Sequence, residues 1–510
     1  MPICRIAGDA SEVLQPVEGT LDAPAELVET LAEAERLFPV APIGNNRRLE
    51  ESMSSDPRHF VIIPSDLRTI DRSYSLLEAL IDGTLRATNS EQPMSILSSN
   101  GRSALLLRLA RYADAFAIGT AVALPWSKTL TSILLTLWLI ALVPTLNLAD
   151  VRREIATPAG GLPILLFALG LLGMAWTHAS WPERLGGFDS FIKFLVLPLF
   201  FVQFRRSDGG IWVMFGYLAS CVVLLAVSSI LMVWPGGAFT ANQEFGVPTG
   251  SAGAQCGEFA ICSLALLFVS VEMFRRGRRR LAAGALALAL AFLANIFFIV
   301  AANYQIFFVP FLPLVIIPLL VPLVFLKKPW AKAMISLLAA GAAACAVLWV
   351  SSSPENYSPW LGTRPLYWER SLTFISEAPV LGHGTGAMPQ LFARAAAGQT
   401  GMLGHVTTNP HQQTFAVGIQ VGLVGIVLLW SMWIAHLLFF RGNTLPEWIG
   451  FVVVTQSIVG SMSDSHLFDS SQGWTYVFAV GVAGGMVRRL RAEHQSLQRA
   501  RIEGEPLNGR

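Results

Sequence analysis

Apolar runs long enough to cross a bilayer recur along this chain between about residues 105 and 487, and few folds tolerate that. A segment of roughly eighteen or more apolar residues in lipid must satisfy its backbone internally, which a helix does within one segment. The composition agrees: of 510 residues 53% are hydrophobic and only 14% charged, with a mean hydropathy of +0.54. Soluble domains carry roughly 25% charged residues. The reading is an all-α, polytopic integral membrane protein.

Hydropathy predicts about twelve transmembrane helices, at approximately 105–125, 129–149, 160–178, 189–204, 210–234, 256–274, 281–301, 305–326, 333–350, 411–440, 445–463 and 473–487. The fourth is short and reads as partly re-entrant. Basic residues fall in alternate connections: Arg152 and Arg153; Arg205 and Arg206; Arg275, Arg276, Arg278, Arg279 and Arg280; Lys327, Lys328 and Lys332; Arg441; and Arg488, Arg489 and Arg491. The connections at 235–255, 302–304 and 464–472 carry no Lys or Arg. The positive-inside rule then places both termini in the cytoplasm and one large loop, 351–410, outside. With its basic residues confined to short loops, the net charge of +2 gives no footprint for nucleic acid. Cys221, Cys262 and Cys345 lie in apolar runs, and the five cysteines show no disulfide pattern. Residues 1–100 are polar and mixed in charge, without the uninterrupted apolar core of a signal peptide. They read as a cytoplasmic extension, or as sequence upstream of a start at Met94. Residues 101–490 form the membrane domain and 491–510 a cytoplasmic tail.

Within the outer loop the run Asn409-Pro410-His411-Gln412 precedes an apolar segment containing Gly418, Gly422 and Gly425. Asn409 suits an N-cap and Pro410 the first helical position, which puts His411 in the first turn. The three glycines then fall within about 40° of the His411 direction and form a stripe for close packing. A histidine at the positive helix pole favours its neutral form, able to accept a proton, with anions nearby. Upstream, Arg364 with Tyr367 and Trp368 suits either interfacial anchoring or a fixed cation for a diphosphate. Paired, His411 and Arg364 are what transfer from a lipid pyrophosphate needs.

Other chemistries fit less well. Asp464, His466 and Asp469 with His411 lack a strong metal-ligand spacing, and no metal is expected. Gly382-x-Gly384-x-Gly386 faces outward, away from cytoplasmic nucleotides, and reads as a turn. No Ser-x-x-Lys or Gly-x-Ser-x-Gly pattern supports serine chemistry. A transporter needs interrupted helices and polar groups at mid-membrane. Pro310, Pro313, Pro318 and Pro322 interrupt one span, but most spans have no central ionisable residue, with Glu258 near a span's outer end the exception.

His411-Gln412, nine residues, then Gly422-Leu-Val-Gly425 resembles the motif of the bacterial O-antigen ligases. Arg364-x-x-x-Trp368, Glu377-Ala-Pro379-Val-Leu-Gly382-x-Gly384 and Leu124-Pro125-Trp126-Ser127 are similar to stretches of the wider O-antigen ligase and polymerase superfamily. The resemblance covers roughly 100–490. It implies a glycosyltransferase of the bacterial inner membrane, with its active site facing the periplasm. Such an enzyme moves a glycan from undecaprenyl diphosphate to lipid A-core with inversion, using neither ATP nor metal and no cofactor. His411 is implied as the base and Arg364 as the stabiliser of the departing pyrophosphate, with Arg370 and Gln412 near the substrate. Family members usually carry a second arginine where this chain has Ala302-Asn303-Tyr304-Gln305. Asn303 and Gln305 can donate hydrogen bonds there, and Arg370, Arg394 or Lys193 are substitute cations. The O-antigen polymerases and the protein O-oligosaccharyltransferases share these residues and remain alternatives.

Overall fold

The computed structural model describes residues 100–234, 244–304, 364–461 and 464–502. Among them every regular element is helical. In chain order these are α1 (Asn100–Ala123), α2 (Lys128–Leu142), α3 (Leu148–Ile155), α4 (Pro158–Gly173), α5 (Trp181–Ile192), α6 (Leu197–Arg206), α7 (Gly210–Val233), α8 (Ala252–Arg275), α9 (Arg279–Tyr304), α10 (Arg364–Glu377), α11 (Met388–Ala396), α12 (Gln413–Phe439), α13 (Leu445–Gly460) and α14 (Ser470–Ile502). The expected spans 305–326 and 333–350, residues 1–99 and Gln305 lie outside the described residues.

Six stretches among the described residues are long and apolar enough to cross a membrane, or seven if α3 and α4, bent by 89°, count as one. The chain is a multi-pass membrane protein. The expected fourth span is interrupted: a short 3-10 turn, Lys193–Leu195, separates α5 from α6. At its start Pro198 sits at the second position of α6, where a missing N–H costs nothing. The expected span at 445–463 is the shorter helix α13, and that at 473–487 is the first part of α14.

Close packing depends on small residues facing large ones. Helix α6 supplies Phe200, Phe201 and Phe204, all fully buried. Gly481, Gly484 and Gly485 of α14 receive them, since a β-carbon at these positions would collide with Phe200, Phe201 and Phe204 respectively. Without a hydrophobic drive between helices in lipid, such interdigitation is what holds them together. Trp138 of α2 stacks on Phe200 at 4.1 Å and donates its Nε1 proton to Gln203 Oε1 at 2.6 Å.

One end of the bundle is an ion-pair network. Arg205 reaches Asp150 at 2.7 Å and Glu154 at 3.0 Å, and Arg488 reaches Glu154 at 3.2 Å. Arg206 pairs with Asp150 and Arg489 with Asp208, while Arg491 meets Glu447 at 2.9 Å. Arg491 also donates to the carbonyl of Phe439, the last residue of α12. The first residues of α12 and α14 lie at the opposite end, beside the cavity described next.

Candidate active site

The local sequence around His411 does not start a helix where Asn409 and Pro410 suggested. Helix α12 begins at Gln413, and its N-cap is Gln412, whose Oε1 accepts from the Phe415 amide at 2.6 Å. His411 stands outside the helix with φ +52°, the one positive-φ residue other than glycine among those described. Asn409 is spent on a turn instead: its Oδ1 accepts from the His411 amide at 2.9 Å. An Asn side chain that can cap a helix can equally well close a turn on the residue two ahead. Thr407 supports this turn, its hydroxyl accepting from the Asn409 amide at 3.1 Å. The reading of His411 in the first helical turn is thus corrected. Its chemistry comes from side chains around it rather than from a helix pole.

The glycine stripe is corrected too. Helix α12 is broken at Val421 and Gly422, and Gly422 has φ +66° and ψ −163°. The partner at the break is the segment 379–386 with its glycine-rich loop 382–386. The His383 and Gly384 amides donate to the Ile419 and Gln420 carbonyls at 2.9 and 2.8 Å, and the Leu423 amide donates to the Pro379 carbonyl at 2.8 Å. The loop thereby replaces the helical hydrogen bonds that the break removes, as buried backbone groups require. Gly382, Gly384 and Gly386 all have positive φ. Thr385 anchors the loop to α4, its amide donating to the Gly173 carbonyl at 3.0 Å and its hydroxyl to the Gly170 carbonyl at 2.6 Å.

The His411 imidazole is held on two sides. Its Nδ1 lies 3.2 Å from Asp464 Oδ1, and its ring stacks near Tyr367 of α10, centroids 6.2 Å apart at 25°. Asp464 Oδ1 also accepts from Asn409 Nδ2 at 3.1 Å and from the Ser465 amide at 2.7 Å. Burial raises the Asp464 carboxyl, but the hydrogen bond and charge of His411, the Ser465 amide and the nearby His466 outweigh it and hold the group down at about 2. A carboxylate only accepts, so the His411 proton is assigned to Nδ1, and Nε2 keeps its lone pair. That is the orientation a general base requires. His466 is half-buried in the same loop, and desolvation lowers its pKa against the pull of Asp464 and Asp469.

A cavity of about 910 Å³ opens beside this pair. Asn409 and Asp464, the two side chains bonded to His411, line it, and so do Arg364, His466, Gln420 and Gln456. Arg364 opens α10, one turn before Tyr367, which ties the guanidinium to the element stacked on His411. Glu183, Asp189 and Asp469 also face the cavity. Among its described lining residues Arg364 is the one permanently charged cation.

The remaining sequence-predicted residues are spread more widely. Gln412 caps α12. Arg370 donates to the carbonyls of Leu403 at 2.5 Å and His405 at 3.4 Å, bracing the 401–405 turn. Arg394 is exposed on α11. Asn303 is the penultimate residue of α9. Lys193 is buried, 2% exposed, and serves the loop carrying Asp464. Sequence reasoning weighed Asp464 as a metal ligand and missed it as the partner of His411. The two are 53 residues apart, and no local spacing could join them.

Residues 247–430 match the protein-family model described as O-Antigen ligase, a span that includes Arg364, His411 and Gly422 but ends before Asp464. No curated protein matches this chain.

Proposed function

We propose that this chain, whose residues 247–430 match the O-antigen ligase family model, is a member of that family that transfers a glycan from undecaprenyl diphosphate to lipid A-core at the periplasmic face of the bacterial inner membrane. The observation that carries the reading is the pairing of His411 with Asp464 at the edge of a cavity lined by Arg364. His411 Nε2 takes the proton of the acceptor hydroxyl as its oxygen bonds to the anomeric carbon. The bond from that carbon to the diphosphate oxygen breaks, and Arg364 stabilises the charge left on the carrier diphosphate. The donor bond itself supplies the driving force. The positive-inside rule supports this sidedness: the arginine-rich end of the bundle suits the cytoplasm, and the cavity is at the other end.

Deletion of the gene tests this reading. Loss of ligated O-chain from lipopolysaccharide, with full-length polymer retained on the carrier, is the expected result. Single repeat units accumulating on the carrier would indicate a polymerase, and unchanged lipopolysaccharide with loss of protein glycans an oligosaccharyltransferase. Arg364→Ala is expected to lower transfer by about 100-fold, on the scale of losing one preorganised charge donor. Arg364→Lys should recover only part of that, because an ammonium lacks the planar fork for two phosphate oxygens. Complementation of the deletion strain reads both, and full rescue by the lysine variant would refute a bidentate role.

A further inference from the structure

We propose that Lys193 is a positioning residue for the His411–Asp464 pair, and that Gly473 exists to seat its ammonium. The proposal rests on the reading of His411 as the base. Lys193 lies in the 3-10 turn that interrupts the α5–α6 segment and is 2% exposed. A buried ammonium is costly unless its donors are used. Two of them are: Nζ donates to the Leu467 carbonyl at 2.8 Å and to the Asp469 carbonyl at 2.9 Å. Both acceptors belong to the short loop that carries Asp464.

The same loop is gripped from the other side by Gln413, fully buried two residues after His411. Gln413 Oε1 accepts from the amides of Leu467 at 2.9 Å and Phe468 at 3.2 Å, and the Gln413 amide donates to the Ser461 carbonyl at 3.0 Å. The Leu467 residue is therefore clamped at both its polar groups, N–H by Gln413 and C=O by Lys193. Because Gln413 follows His411 in the chain, this clamp sets the register between His411 and Asp464. Gly473 supplies the space: a β-carbon there would collide with both Lys193 Nζ and the Leu467 carbonyl oxygen. This geometry separates Lys193 from a substitute diphosphate cation, since its ammonium is engaged by carbonyls and it is not among the residues lining the cavity.

The test uses membrane vesicles from the deletion strain complemented with the full-length protein, with their endogenous lipid-linked donor. Lys193→Met should slow transfer by about 100-fold, the scale of a misplaced catalytic group, and Gly473→Ala should act in the same direction. If Lys193 acts through Asp464, Lys193→Met added to Asp464→Asn should slow that variant further by no more than about twofold, whereas independent sites multiply their losses. A wild-type rate in Lys193→Met, or multiplied losses in the double variant, overturns the proposal. Hydrogen exchange on purified protein gives a readout independent of activity. The Leu467 and Phe468 amides should exchange faster in Lys193→Met and in Gly473→Ala, and unchanged protection in both overturns the clamp. A fully active His411→Ala would refute the base assignment instead, leaving the exchange result to decide the clamp alone.

Discussion

Asp464→Asn should lower glycan transfer by about 100-fold or more while the protein remains in the membrane at its normal abundance. An asparagine can point its NH₂ group at His411 Nδ1, which would then have to accept. The imidazole proton moves to Nε2, and the nitrogen facing the acceptor becomes a donor. Loss of the correct tautomer costs serine proteases about 10⁴ in kcat, and the partly exposed pair here, 32% and 41% for the two side chains, should lie below that limit. The Asp464 carboxylate is ionised down to about pH 2, so it remains an acceptor for the His411 Nδ1 proton throughout pH 5 to 8. Transfer rates in membrane vesicles across that range measure the loss. An Asp464→Asn rate equal to wild type would remove the carboxylate from the account.

Gly422→Ala is expected to be among the most damaging small substitutions at the described residues. Its φ of +66° with ψ −163° falls in a region that only glycine occupies freely. A β-carbon there would also collide with the Val380 carbonyl oxygen, and backbone cannot swing aside as a flexible side chain can. Strain and overlap together should cost about 3 kcal/mol or more. The consequence reaches the site, because the loop that fills the break, 379–386, also packs on α4 and sends Gly386 to the cavity wall. Thermal unfolding in detergent should show a lowered midpoint, with reduced abundance in the membrane. Gly425→Ala makes a useful contrast: its β-carbon would meet Val421 and Val417 side chains of the same helix, and its backbone is helical. A Gly422→Ala protein as stable as wild type would mean that the break in α12 is not a fixed feature.

Much of this architecture could be read from residue types alone, and the exceptions have physical causes. Apolar runs marked the helices α7, α8, α9 and α12 because length and hydropathy are local properties. Arginines marked one end of the bundle, and Arg205, Arg488 and Arg491 do gather there on Asp150, Glu154 and Glu447. The helix start near His411 was misplaced because asparagine satisfies an N-cap and a turn through the same hydrogen bond. Glutamine, a less common cap, held the real boundary. The spacing from His411 to Gly422 was visible, but its meaning was not: one glycine in it opens a helix for another chain segment to enter, which no periodicity encodes. Asp464 and Lys193 were visible as a metal-ligand candidate and a substitute cation, but their roles beside His411 were not, for a related reason. Their work is done across 53 residues to His411 and 274 to Leu467, and sequence carries no local trace of such pairings.

If His411 removes the acceptor proton while the carrier diphosphate departs, carrier release and glycan transfer are coupled one to one. Purified protein in vesicles, supplied with donor and acceptor extracted from the deletion strain, tests it by counting the carrier released against the glycan transferred. Wild-type protein should release one undecaprenyl diphosphate for each glycan joined to lipid A-core. His411→Ala, folded by the same thermal midpoint, should do neither above a rate about 10²–10⁴ lower, the usual contribution of a general base. A His411→Ala protein that couples release to transfer at the wild-type rate would contradict the account.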